Sequence, residues 1–525
     1  MTTRRTGSKW WTLAAMCFAL FMIMVDNTVV NVALPSIQHS LHASPAALEW
    51  TINSYVLAFA VLIMVGGKLG DRFGRKRMFL VGLIVFTLGS AACALAPTDG
   101  WLVAFRALQG VGGALMSPLS LSIIVAAFPR RQVGTAIGFW AGISALGLAV
   151  GPLLGGVLVD HVSWSAVFWI NVPIGVVAAI VTLAAVSESR DPGARRLDLV
   201  GTGLVTGALF CLVYGLIETS SHAWLSTFTL TFLGAAAVLL ALFVAWERRA
   251  AEPMVPLELF RRRRFTVASV AVAFVGLGLF GVVFFITLYF QNVKGWSPTR
   301  AGMASLPLTG MIMLLGPWSG RLQARFGARA LITAGLLSCS AGLIGLAQIG
   351  VSTSYWLIWP FYVAMGVGLA IAMPATSATA MGAVETERAG IASGVVNASR
   401  QVGAAMGIAI LGAVGSAVAV DRWHERAASL PEAIRAGAGR LNELVVGGQV
   451  RAVGRIAGPQ AADDAAHAFV GGVRAAMWVA AALVLAAAIT AFVGLGGGRP
   501  APGAVPAAEP EAARVPRPAG SAQPA

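Results

Sequence analysis

Asp26 lies inside the long apolar run 11–33 and is the only carboxylate deep within any apolar run of the chain. A membrane-embedded acid costs about 2.5–3.5 kcal/mol on insertion scales, which makes it a functional candidate, with proton uptake and release as its chemistry. The alternative is a structural partner for a buried cation or amide. A cation of the same kind occurs in another run, in Leu102-x-x-x-Arg106-x-x-Gln109-Gly110-x-Gly112-Gly113-Ala114. Arg106, Gly110, Gly113 and Ser117 share one helical face by i, i+3, i+4 spacing. An arginine among glycines reads as a cavity wall, or else as a side chain snorkelling to the outer interface. By helical rise, Asp26 lies about 22 Å into its run and Arg106 about 7 Å into its own. If the two runs cross in opposite directions, the charges reach similar depth and can meet.

Two further patterns concern positioning. In the stretch 66–77 the order is Gly67-x-Leu69-Gly70-Asp71-Arg72-x-Gly74-Arg75-Lys76. It reads as a short, tight, basic loop between two membrane helices, whose glycines allow close approach and sharp turning. Asp71 there can pair with an arginine or cap a neighbouring helix N-terminus. In the run 134–159, Gly147, Gly151 and Gly155 form a groove for close helix contact, flanked by Pro152 and Gly156. Pro152 removes a backbone hydrogen bond and can kink the helix.

These residues need long helices to hold them, and the hydropathy pattern supplies fourteen spans. They fall at 11–33, 50–65, 78–96, 101–128, 134–159, 166–186, 199–217, 225–246, 265–289, 301–320, 330–349, 355–381, 390–420 and 469–495. The organisation expected is a tail (1–10), a six-helix bundle (11–186), two inserted helices with their loops (187–264) and a second six-helix bundle (265–495). That second bundle carries a long outer loop, 421–468, and a Pro/Ala-rich disordered tail, 496–525, follows it. Asp191-Pro192-Gly193 marks a turn. The halves echo each other: Gly320-Arg-Leu322-Gln-Ala324-Arg325-Phe326-Gly327 repeats the pattern at Gly67, without the aspartate, and Gly366-Val-Gly368 repeats Gly110-Val-Gly112, without the arginine. The chemistry is therefore assigned to the first half.

At 57% hydrophobic and 11% charged over 525 residues, the chain is too apolar for a soluble protein. Its net charge of +15 is not a nucleic-acid signal, because the cations follow the loops. Of 37 Lys and Arg, 26 fall on the side of the N-terminus and 8 opposite, 6 of those in the long last loop. Both termini are accordingly expected in the cytoplasm, and Arg261-Arg-Arg-Arg264 reads as an anchor to anionic lipid. Four cysteines, each within an apolar run, imply neither disulfides nor a metal site, and no cofactor is expected. No cleavable leader is evident. Arginine far exceeds lysine and alanine and glycine abound, which suggests a GC-rich bacterial genome and hence a bacterial cytoplasmic membrane. No paired-carboxylate or Ser/His/Asp constellation suggests an enzyme.

The stretch at Gly67 closely resembles the loop between helices 2 and 3 of the major facilitator superfamily. Asp26-Asn-Thr28-Val-Val-Asn31-Val-Ala-Leu-Pro35 resembles a signature of its fourteen-span drug:proton antiporters of the EmrB/QacA type, and Gly147-x-x-x-Gly151-Pro152-x-x-Gly155-Gly156 resembles their antiporter motif. Weaker matches are Glu49-Trp50-x-x-x-x-Tyr55, Asn171-Val-Pro173-Ile-Gly175 and Asn397-x-x-Arg400-Gln401-x-Gly403. Near the second of these, Ser165 and Ala166 stand where the family usually has Arg and Trp. Gln401 to Val420 could span alone, which would put Arg400 at the inner interface.

The resemblance implies an all-α fold of two six-helix bundles plus two extra helices, alternating access, and proton-driven export of small lipophilic, often cationic compounds. It also implies proton coupling at Asp26 and Arg106 and a conformational switch at Gly67, Gly70, Asp71, Arg72, Gly74 and Arg75. Cavity-lining candidates are Asn31, Asn53, Tyr55, Gln109, Gly110 and Gly113. The partners expected are substrate, protons and lipid, with the chain working as a monomer. A nutrient facilitator or symporter, and a membrane sensor or scaffold that moves nothing, are the competing readings.

Overall fold

The computed structural model describes residues 8–43, 45–190, 198–218, 226–250, 253, 255–385 and 388–496. The first residues of the basic tail, the Asp191 turn and the Pro/Ala-rich tail from 497 onward lie outside them. The chain folds into helices α1 (Ser8–Leu41), α2 (Pro45–Phe73), α3 (Arg75–Ala94), α4 (Asp99–Ala127), α5 (Arg130–His161), α6 (Asn171–Ala185, after a turn of helix at Ala166–Trp169) and α7 (Leu199–Ile217). Then come α8 (Thr227–Glu247), α9 (Arg263–Leu288), α10 (Leu306–Phe326), α11 (Ala328–Leu346), α12 (Tyr355–Gly382), α13 (Ala389–Ala427) and α14 (Val450–Gly494). Among the described residues, eleven are long and apolar enough to cross a membrane. Helices α5, α9 and α10, of 32, 26 and 21 residues, pack among them and complete fourteen of membrane length.

The first six helices form one bundle, in which α1 lies on α5 and α2 and α3 lie on α4. Helices α9 to α14 form the other, in which α9 packs on α13 and α12 on α10 and α11. The α7/α8 hairpin leans on α2 and α13. Two seams join the bundles, α5 with α10 and α2 with α13. They are equivalent under the internal repeat. Gly67 of α2 touches the carbonyl of Gly390 on α13, and Gly320 of α10 lies against Gly134 of α5, with no room at either for a Cβ. Both seams are tight near the face where α1 begins and α2 ends. That end carries most of the arginines and is called the basic face below.

The structure corrects two expectations. Residues 66–77 are not a loop. Helix α2 runs through Gly66, Gly67, Lys68, Gly70 and Asp71 to Phe73, and the chain turns at Gly74 alone, whose φ of +106° favours a residue without Cβ. The glycines are packing surfaces: Gly66 lies on the backbone of Ala114 and Gly70 on Leu119, so tertiary contact outweighs their weak helix propensity. The stretch 421–468 is also largely helical. Helix α13 continues to Ala427, short helices occupy Glu432–Gly437 and Asn442–Val446, and α14 starts at Val450 with a break at Gly458. Trp423, Leu441 and Val453 give this cap a small core of its own, and Trp423 donates its indole N–H to the Ala438 carbonyl at 3.0 Å.

Candidate functional site

Asp26 and Arg106 meet directly. Asp26 stands 18 residues past Ser8 in α1, about 27 Å from the basic face at 1.5 Å per residue. Arg106 stands 7 residues past Asp99, where α4 enters from the opposite face. The Arg106 Nη1 donates to Asp26 Oδ2 at 2.6 Å, and both residues are almost fully buried. The other carboxylate oxygen accepts from Gln109 Nε2 and Asn171 Nδ2, each at 2.9 Å. Arg106 also donates from Nε to the Thr51 carbonyl at 3.1 Å and from Nη1 to Gln109 Oε1 at 2.8 Å. Its guanidinium carbon lies 4.4 Å from the centre of the Tyr55 ring. Asn171 reaches Ser90 Oγ at 3.0 Å, and Ser90 donates to the Phe168 carbonyl at 2.8 Å.

Five of the first six helices thus supply one polar cluster inside the first bundle. A buried ion pair is tolerated only where further hydrogen bonds compensate the lost hydration, and Asp26 accepts three. Two polar atoms of the cluster, the Tyr55 hydroxyl and Asn171 Oδ1, have no partner, which leaves the network capacity to rearrange. A protonated Asp26 would carry an O–H where it now faces only donors. Adding a proton therefore requires at least one of the three contacts to move.

The second constellation lies at the basic face. Asp71 Oδ1 accepts from Arg75 Nε at 3.0 Å and Nη2 at 2.8 Å, and also from the backbone N–H of Gly390 at 3.0 Å. Its Oδ2 accepts from the N–H of Ile391 at 2.7 Å. A carboxylate from one bundle thereby caps the first turn of a helix in the other, where free N–H groups and the helix dipole both favour an anion. Arg72 is half-buried and lies over the Phe73 ring rather than joining this cap. The repeat copy in α10 has Ala324 where α2 has Asp71, so the α5/α10 seam lacks this lock.

Helix α5 meets α1 through its glycines. A Cβ at Gly147 would strike Met24, one at Gly151 would strike Thr28, and one at Gly155 would press tightly on Val29. Gly156 is half-buried, and the helix continues through Pro152. The cavity-lining candidates fare unevenly. Tyr55 and Gln109 belong to the sealed Asp26 cluster. Gly110 and Gly113 are not cavity wall, because they abut the Tyr55 carbonyl and the Phe59 ring and bring α4 onto α2. Asn53 is half-buried, and Asn31 is exposed and bonds within its own helix to the Asn27 carbonyl. A groove of about 1710 Å³ opens near the basic face, among Lys68 of α2, Phe243 of α8, Val270 of α9 and Val402 of α13.

Three residues matter more than their sequence context suggests. Asn171 belongs to a weak motif, yet it supplies one of the three bonds to Asp26. Glu188, in the segment after α6, accepts the N–H groups of Lys76 and Arg77 at 3.0 and 3.1 Å and caps α3. Helix α13 begins at Ala389, so Arg400 lies 11 residues in, about 16 Å along the axis, and not at the helix end. Among the described residues, no group of His, Cys, Asp and Glu could hold a metal ion.

Two helical bundles joined at glycine seams, an ion pair sealed inside one bundle and a cap that crosses between them are the architecture of a helical membrane protein built in two linked halves. The chain belongs to the Major Facilitator Superfamily, whose model matches residues 16–408. It is 38% identical over 494 residues to the tetracenomycin C resistance and export protein of Streptomyces glaucescens, covering 93% of this chain and 91% of that one. It is 40% identical over 404 residues to the multidrug resistance protein Stp of Mycobacterium tuberculosis (strain CDC 1551 / Oshkosh), covering 77% and 75%. Among solved structures, the proton:xylose symporter XylE superposes with a TM-score of 0.60 at 12% identity, over 92% of this chain and 95% of that one, which shows the fold alone. The chain is a multi-pass transporter of the drug- and antibiotic-efflux branch of the superfamily, and not an enzyme.

Proposed function

We propose that this transporter exports small lipophilic compounds, cationic ones among them, across the bacterial cytoplasmic membrane in exchange for protons, as a monomer with both termini inside. The observation that carries this reading is the buried ion pair of Asp26 and Arg106, with its three bonds to one carboxylate. Uptake of a proton at Asp26 releases Arg106 and its neighbours to repack, and repacking α1 against α4 and α5 couples the event to movement of the first bundle. The glycines of α5 at 147, 151 and 155 keep α1 close enough to feel it. Asp71 and the Gly67/Gly390 contact act as a latch on the basic face, which is cytoplasmic in this reading. The groove beside Lys68 and Phe243, lined by apolar and charged side chains together, gives amphipathic solutes an approach at the basic face. The working division is the first bundle at 11–186, the inserted hairpin at 187–264 and the second bundle at 265–495. Tetracenomycin C and the drugs of the multidrug relative indicate the kind of cargo.

The test is substrate-induced proton release from detergent-solubilised protein, compared with its Asp26→Asn variant. Release is expected from the wild type and absent from the variant, while the variant remains folded and loses proton-driven export. Equal release from both would exclude Asp26 as the coupling site.

A further inference from the structure

The chain holds a second intramembrane arginine that the Asp26 network does not use. Arg400 lies 11 residues into the 39-residue α13, on the seam between the two bundles. Its Nη2 donates to Asn397 Oδ1 at 2.6 Å, and its guanidinium carbon is 5.9 Å from the centre of the Trp140 ring on α5. No described carboxylate pairs with it. Arg106, the other intramembrane arginine considered above, has Asp26 as a full counter-charge. A guanidinium offers five N–H donors in a planar fork, and only one bond to another side chain engages Arg400.

Arg400 borders a closed cavity of about 10 Å³, room for one water, at the meeting point of the halves. Leu121 and Trp140 line it from the first bundle, and Val272, Met373 and Thr376 from the second. Across the same seam Ser117 of α4 donates to Asn397 Oδ1 at 3.3 Å, and Ser393 of α13 donates to the Pro118 carbonyl at 2.7 Å. Separation of the bundles breaks these contacts and enlarges the cavity around the cation. The lining is mainly apolar, with the Trp140 ring, the hydroxyls of Thr376 and Ser377, the Asn397 amide and one charge, Arg400.

We infer that Arg400 is a recognition site for an organic monoanion, the ionised carboxylate or phenolate of a flat aromatic substrate, held by the guanidinium and stacked toward Trp140. The match is chemical. Arginine binds carboxylates bidentately, and its charge is weakly hydrated enough to sit against an aromatic face. A ligand anion would supply the counter-charge that the protein withholds, so the site favours anionic over neutral cargo of the same shape. The inference rests on the export reading only for which molecules reach the site.

The experiment uses the full-length protein in nanodiscs, without a proton gradient, so that its outcome is separate from that of proton coupling. The probes are anthraquinone-2-carboxylate and anthraquinone-2-carboxamide, which share shape and differ in charge. Wild-type protein is expected to bind the carboxylate about tenfold tighter or more, the scale of one charge-assisted hydrogen bond. Arg400→Gln should bring the two affinities together by weakening the carboxylate alone, and Arg400→Lys should keep part of the preference. The inference is overturned if wild-type protein shows no preference for the carboxylate, a measurement that needs no variant. It is equally overturned if the preference survives in Arg400→Gln.

Discussion

Replacing Asp71 by asparagine tests the latch most directly, because its bonds divide by location. The bonds from Arg75 stay inside the first bundle in any conformation, whereas those from Gly390 and Ile391 exist only while α2 meets α13. Asparagine keeps one acceptor, loses the other and removes the charge. A charge-assisted hydrogen bond contributes about 1.5–3 kcal/mol. Loss of one such bond, with a weaker second, takes about 2–3 kcal/mol from the closed basic face. At 1.4 kcal/mol per decade this is about a 30- to 150-fold shift toward the open form. Removing the charge beside buried Arg75 also lowers overall stability, which a melting curve reads separately from the gate distance. The assay is a distance measurement by pulsed electron resonance between spin labels at Arg77 and Arg321. Both are exposed, with Arg77 in the first bundle and Arg321 in the second, and the half-buried Cys211 is first replaced by serine. A wild-type population dominated by the short distance should shift to a longer one in Asp71→Asn. An unchanged distribution would show that the cross-bundle cap does not hold the gate.

Two further outcomes are expected. Gly151→Leu should block or uncouple transport, because even a Cβ at this position strikes Thr28 and approaches the Val25 carbonyl to 3.2 Å; transport rate and proton stoichiometry at wild-type values would refute the tight α1/α5 contact. A reporter fused after Arg499 should report a cytoplasmic position, and one inserted at Gly448, in the turn before α14, an external one. Reversal of either would invert the assignment of the basic face and with it the direction of the latch.

Most of the architecture was legible because a membrane makes long apolar runs obligatory. The pairing of Asp26 with Arg106 was legible from depth, counted from opposite ends of their helices, together with the family resemblance that puts both helices in one bundle. Asn171 was harder to place: a single amide in an apolar run carries no periodicity, and its partners Ser90 and Asp26 are 81 and 145 residues away. Glu188 had no signal at all, because the helix it caps is joined to it only in space. The failure at 66–77 has one cause. Local composition placed a break at Gly66, but where a helix ends depends on who satisfies its terminal groups. The N-terminus of α13 is set at Ala389 by a carboxylate 319 residues earlier, and α2 must continue as helix through its glycines to carry that carboxylate there. The start of α13 was legible, at 390 against Ala389, as was the capacity of Asp71 to cap a neighbouring helix; what the sequence hid is the helical path of α2 that brings the two together.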